Sequence, residues 1–252
     1  MNCFNKDYSN FYDLIYKDKK YNDEISSVKR IIRKYSKNSK DLLEFGCGTG
    51  NHSNLLSKLN LNVLGIDMSP YMLKIAKKKY GKNKKLKFLK SDINKLKIKK
   101  KFDIVSALFH ILSYRIKEGD IKKFFLNSNK HLKKDGVLIF DFWYKPAVLY
   151  LKPEKKVKFS SDNKNEVYRV THPQWYKSKD IIDITYELLI FNKKSKKARM
   201  VKEIHKMKYF DMKIIKKYLK KYGFKLLKSL EIISNKKISR RTWGALVVAK
   251  KI

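Results

Sequence analysis

Apolar residues along this chain come in two kinds of run: short solid blocks separated by amphipathic stretches, and later segments where apolar and polar residues alternate. The solid blocks are residues 42–45, 63–66, 86–89, 102–107 and 136–140. A short apolar block between polar flanks suits a strand buried on both faces, as in a parallel sheet. Between the blocks the period changes. Ile25, Val28, Ile31 and Ile32 share one helical face, residues 51–59 continue helically after a glycine turn, and residues 121–132 are amphipathic before a turn at 133–136. Ser69-Pro70 marks another helix start, serine capping and proline occupying the first helical position. Strand and helix in alternation predict an α/β protein with a doubly wound sheet.

The second half reads differently. Residues 166–172, 181–188 and 200–207 follow a period of two with a polar turn at 192–197, which predicts an antiparallel sheet inserted after the fifth block. A helix at 211–222 and strands at 224–230 and 243–250 close the chain. The expected division is therefore an aromatic lid and helix over 1–35, a core over 36–146, a β insertion over 147–210, and the last helix and two strands over 211–252.

Candidate chemistry starts at Glu44-Phe45-Gly46-Cys47-Gly48-Thr49-Gly50, where an acid at the end of the first block precedes glycines at alternate positions. Glycine allows left-handed backbone and close approach of a ligand, and the N–H groups of the following helix start favour an anionic or nucleotide-like group. The spacing differs from Gly-x-Gly-x-x-Gly. Asp67 ends the second block, where a carboxylate can accept both hydroxyls of a ribose. Asp92-Ile93 follows the third block, an acid and an apolar residue suited to the edge and face of a base.

Taken with Phe102-Asp103 and the run from Leu132 to Gly136, this set resembles the class I S-adenosylmethionine (SAM)-dependent methyltransferases over roughly residues 40–145. The resemblance implies a Rossmann-like seven-stranded sheet with an antiparallel last strand, and SAM as cofactor. It implies SAM contacts from Glu44, Gly46, Cys47, Gly48, Thr49, Gly50, Asp67, Met68, Asp92, Ile93 and Leu108. Within the class the chain most resembles the amino-sugar N,N-dimethyltransferases of the desosamine and mycaminose type, which carry an inserted antiparallel sheet over the active site. In that group tyrosines of the N-terminal segment cover SAM and face the amine, which assigns Tyr21 to SAM and Tyr8 or Tyr16 to the acceptor; an aromatic face packed on the domain explains the same residues. Alignment on Phe109 puts Tyr114 where the group positions the amine or takes its proton. The chain departs from the group at His110 and Ile111, where two serines are usual, and His110 becomes a second base candidate. Trp143 and Tyr144 echo aromatic residues lining the acceptor pocket. Of Arg169 and His172, three apart in one strand, only one should enter the cleft, and His172 is the choice. Arg241, beside Arg240, is placed to clamp a diphosphate, though a solvated surface pair fits equally.

Composition changes this picture little. The formal net charge is +39, but seven of the 62 basic residues are Arg, and the lysines are spread along the whole chain. Phosphate and base recognition favours Arg, so coding bias explains the charge better than a dedicated polyanion surface. Cys3 and Cys47 have no metal-type spacing, no metal is expected, and neither a leader nor a membrane span is visible, which makes the cytoplasm the expected location. The expectation is N-methylation of a small molecule, with a nucleotide-linked amino sugar as acceptor. O-methylation of a sugar or other small molecule, or an RNA or protein acceptor, is the alternative. A homodimer stays open.

Overall fold

Leu42 and Leu43 are adjacent in sequence, fully buried, and point into different cores on opposite faces of one sheet. That double burial is why the solid apolar blocks become strands. The structure, a computed structural model, describes residues 3–252. Strands β1 (Asp41–Phe45), β2 (Asn62–Asp67), β3 (Leu86–Lys90), β4 (Phe102–Ala107) and β5 (Leu132–Trp143) join β10 (Phe224–Glu231) and β11 (Gly244–Lys251) in one seven-stranded sheet. The order is β10-β11-β5-β4-β1-β2-β3, with β11 antiparallel to both neighbours and the β1, β2, β3, β4 and β5 pairings parallel. This is the doubly wound α/β fold expected. Its strand order reverses between β1 and β4, and ligands of such sheets lie off the carboxyl ends there.

Helices cover both faces. Val28, Ile31 and Ile32 of α2 (Tyr21–Tyr35) and Leu56 of α3 (Asn51–Ser57) close one core; Phe124 and Phe125 of α5 (Glu118–His131) and Ile215 and Leu219 of α7 (Met212–Lys221) close the other. The caps are legible in the residues: the Ser69 hydroxyl accepts the Met72 N–H ahead of α4 (Pro70–Tyr80), and Asp211 caps α7. At the start of β5 the expected turn over 133–136 is an irregular first stretch of the strand itself, with Asp135 at φ 61° and a register shift against β4.

Between β5 and α7 lie a short α6 (Lys145–Leu151) and a four-stranded antiparallel sheet, β6 (Lys156–Ser161), β7 (Asn165–Tyr176), β8 (Ile181–Asn192) and β9 (Ala198–Lys208). The inserted sheet was expected; β6 and α6 were not. The inner face of the sheet carries Val167, Ile182, Leu188, Ile190 and Val201, all buried. Part of that face packs on Tyr8, Phe11, Tyr12 and Ile15 of α1 (Lys6–Ile15). The sheet and α1 thus form a roof over the carboxyl edge of the large sheet.

Candidate active site

Strand β1 ends at Phe45, and the chain then turns through Gly46, Gly48 and Gly50, all at positive φ. At two of these positions a side chain would also crowd a neighbour. A Cβ on Gly46 would stand 2.3 Å from Ile111 Cδ1, and one on Gly50 would stand 2.7 Å from Phe88 Cζ. The turn docks on the end of β2, with the Cys47 N–H donating to the Ile66 carbonyl (2.9 Å) and the Gly48 N–H to Asp67 Oδ2 (2.9 Å). The other Asp67 oxygen accepts the Ser69 N–H at 2.8 Å. Burial raises the Asp67 carboxyl above its ordinary range, against the opposing pull of these N–H groups.

Two adjoining cavities open here. The smaller, about 70 Å³, lies beside Asp67, Met68, Ser91, Ile93 and Arg115, with Cys3 and Phe4 across it. The larger, about 270 Å³, runs from Gly46, Cys47, Gly48, Thr49 and Asp67 to a wall of Tyr12, Tyr16, Tyr21, Leu108, Phe109, His110, Tyr114, Trp143, Arg169, Tyr186, Met207 and Trp243. Gly46, Asp67, Ile111, Tyr114 and Phe4 border both. A nucleoside-shaped space therefore meets an aromatic one at the glycine turn.

Several expected site residues stand elsewhere. Glu44 is turned under the turn, where its carboxylate accepts the Ser53 hydroxyl, and Gly50 is the left-handed cap of α3 rather than wall. Asp92 caps the turn after β3 by accepting the Asn94 N–H (2.9 Å) and lies 3.7 Å from Arg115; its neighbours Ser91 and Ile93 face the small cavity instead. Tyr8 is fully buried behind the cavity, its place at the wall taken by Tyr12, one helical turn on. Tyr144 packs into the core and starts α6, leaving Trp143 at the wall. The choice between Arg169 and His172 is reversed. Arg169 faces the cavity, its guanidinium 5.1 Å from the Tyr16 ring and 5.4 Å from the Tyr186 ring, while His172 pairs with Glu187 on the outer face. Arg241 is exposed outside the cavity, and Arg240 beside it covers Tyr150.

Two histidines sit where chemistry is possible. His110, at φ 66°, has Nδ1 2.7 Å from Asp141 Oδ2, off the hydrogen-bond direction, and donates its backbone N–H to Asp141 Oδ1 at 2.9 Å. His205 was not foreseen. Its Nδ1 is 2.8 Å from the Tyr114 hydroxyl and its Nε2 is 2.9 Å from Glu203 Oε2. The alternation of β9 shows that residues 203, 205 and 207 share a face; only the tertiary fold shows that this face meets Tyr114. Burial holds the phenols of Tyr12, Tyr114 and Tyr186 well above their ordinary pKa, so the wall is made of protonated phenols. Among the described residues no group of three or more His, Cys, Asp or Glu side chains is placed to hold a metal.

Residues 42–136 match the family model of a methyltransferase domain. This stretch is a SAM-dependent methyltransferase domain. The whole chain superposes on a crystal structure of a SAM-dependent methyltransferase from Clostridium acetobutylicum, with a TM-score of 0.82, 25% identity and 99% of both chains covered. It is 26% identical over 137 residues to the Streptomyces fradiae dTDP-3-amino-3,6-dideoxy-alpha-D-glucopyranose N,N-dimethyltransferase, covering 54% of this chain and 52% of that one. It is 40% identical over 100 residues to the ubiquinone biosynthesis O-methyltransferase of Pelagibacter ubique, 38% of this chain and 39% of that one. The chain spans about half or less of the length of these curated relatives. SAM is the cofactor of the methyltransferase domain, and the residues present fit it. Gly46 borders both cavities and a Cβ on Gly48 would meet nothing within 4 Å, so the turn leaves its backbone open to a ligand, and Asp67 stands at its edge beside a small pocket walled by Met68 and Ile93.

Proposed function

We propose that the protein transfers a methyl group from SAM to the amine of a small acceptor, a nucleotide-linked amino sugar. Bound SAM supplies an electrophilic methyl group on a sulfonium. Asp67 accepts the ribose hydroxyls, Met68 and Ile93 hold the adenine, and the glycine turn and Tyr21 border the space for the amino-acid end. The rings of Tyr12 and Tyr16 face the cavity and favour a nearby cation. Tyr114 meets the acceptor nitrogen, Trp143 and Tyr186 bracket its ring, and the roof excludes water. Methyl transfer then needs the reacting atoms held at ~3–3.5 Å, in line.

The observation that carries the acceptor class is Arg169. Its Nε and Nη1 are buried at the cavity wall without a hydrogen-bond partner. A buried guanidinium N–H left unmatched is costly, and an anionic group on the acceptor, such as a diphosphate, supplies the match. Similarity to the amino-sugar dimethyltransferase supports the amine. A second reading, O-methylation of a hydroxyl, is favoured by the Asp141–His110 pair, which suits removal of a hydroxyl proton, and by similarity to the O-methyltransferase.

Incubation with methyl-labelled SAM and three acceptor sets (nucleotide-linked amino sugars, nucleotide-linked neutral sugars, total RNA) separates the readings. Label in the amino sugars alone is the expected result. Label confined to neutral sugars would establish the O-methyl reading, and label in RNA would overturn both.

A further inference from the structure

We propose that Glu203 and His205 form a proton relay behind Tyr114, through which the proton of the acceptor amine is passed to His205. The inference rests on the reading of this cavity as an amine methyltransferase site. Tyr114 is the group that touches the acceptor; His205 and Glu203 act through it as positioning residues.

The geometry is continuous. The Tyr114 hydroxyl lies 2.8 Å from His205 Nδ1, and His205 Nε2 lies 2.9 Å from Glu203 Oε2. Glu203 also accepts the N–H of Phe4 at 2.9 Å and that of Asn5 at 2.7 Å. His205 is 1% exposed and Glu203 4% exposed. A carboxylate only accepts, so the ring nitrogen facing Glu203 carries the hydrogen, which leaves Nδ1 to accept from the Tyr114 hydroxyl. The phenol proton therefore points away from the cavity, and its oxygen lone pairs are left for a substrate N–H.

Packing alone does not call for these two residues. Their neighbours on the same inner face of β9 are Val201 and Met207, both buried, and apolar side chains would fill the same space without the cost of burying a charge. Besides Tyr114, the titratable groups around the ring are Tyr8 from α1 and Tyr186 from β8, with Cys3 of the N-terminal segment near Glu203, and none of them replaces Glu203 as a partner. Burial holds the Tyr114 phenol well above its ordinary pKa, so it cannot serve as the final proton acceptor near neutral pH and needs one behind it.

The transfer balances. The N–H bond of the acceptor ammonium breaks and leaves its electron pair on nitrogen, ready for attack. That proton bonds to the Tyr114 oxygen while the original hydroxyl proton moves to His205 Nδ1. The imidazolium formed is paired with the Glu203 carboxylate. Because Phe4 and Asn5 donate to Glu203, the relay is complete only with the N-terminal segment seated.

Two measurements test it. The first is ¹⁵N NMR of histidine-labelled protein, which needs no acceptor. His205 should be the Nε2–H tautomer, and both Glu203→Gln and Tyr114→Phe should shift its ring resonances. An Nδ1–H tautomer, or resonances indifferent to both changes, would overturn the relay. The second is kinetics with the TDP-linked 3-amino-3,6-dideoxyglucose. Glu203→Gln and His205→Asn should each lower kcat about 10- to 100-fold, with acceptor KM and SAM affinity within about twofold. In a Tyr114→Phe background either should cost less than about twofold more, since the relay is already cut. Wild-type kcat in the single variants, or losses that multiply in the doubles, would sink the relay. A wild type that methylates no amine would sink the functional reading and leave the tautomer to decide the relay.

Discussion

Glu44 and Gly46, two residues apart, show how much a single position carries in this turn. Glu44 is 2% exposed, and burial raises its carboxyl from 4.5 to about 7 despite the Ser53 hydroxyl and nearby His52. A folded-state value above the unfolded one means that the native protein holds a proton the unfolded chain has lost. Stability from this group is therefore full below about 4.5 and falls as pH rises to about 7. The loss is on the order of 3 kcal/mol. Urea unfolding of the SAM-free protein at pH 5 and pH 8 should show Glu44→Gln losing less stability across that interval than wild type; parallel losses would show that Glu44 does not titrate there. At Gly46 the φ of 66° and the 2.3 Å approach of Ile111 both oppose a side chain. Gly46→Ala should cost about 1–3 kcal/mol of stability and weaken SAM binding, as thermal melts with and without SAM would report; an unchanged melt would mean that the turn tolerates a Cβ.

Among the elements, the five parallel strands and the cap of α4 were legible because each has a local cause: a doubly buried strand is a solid apolar block, and a cap is one residue at one place. β6 and α6 were not, since β6 is six residues long with only Val157 and Phe159 apolar, both exposed, and α6 is a single short piece with Pro146 in its first turn. The face of β7 that enters the cavity was also hidden. Val167, Arg169 and Thr171 alternate with Tyr168, Val170 and His172, and each set contains an apolar residue, so hydropathy does not say which is inward. The burial of Val167 settles it for Arg169. Tethering of α1 to the glycine turn was equally unreadable. Asp13 accepts the Thr49 hydroxyl (2.7 Å), the Asn51 amide (3.1 Å) and the Lys79 ammonium (2.7 Å). At about 1 kcal/mol per bond, Asp13→Ala should speed hydrogen exchange over Lys6–Ile15 and weaken SAM roughly tenfold. Unchanged exchange in α1 would show that the aromatic packing alone holds the roof.

Over the whole molecule the excess of lysine and the chemistry of the cavity are separate matters. No helix of the described residues is long and apolar enough to cross a membrane. With a net charge of +39 carried mostly by lysines spread along the chain, RNA should bind weakly and lose affinity steeply with salt, with Kd of about 10⁻⁴–10⁻⁶ M at physiological ionic strength. Nanomolar binding of a defined RNA would instead make the charge part of the function. In the proposed function SAM lies across the carboxyl edge of the large sheet with its ribose on Asp67. Calorimetric titration of SAM into wild type and Asp67→Ala tests this most directly. Loss of two charge-assisted hydrogen bonds, about 3 kcal/mol or more together, should weaken binding at least about 100-fold, whereas equal affinity in the two proteins would contradict the placement.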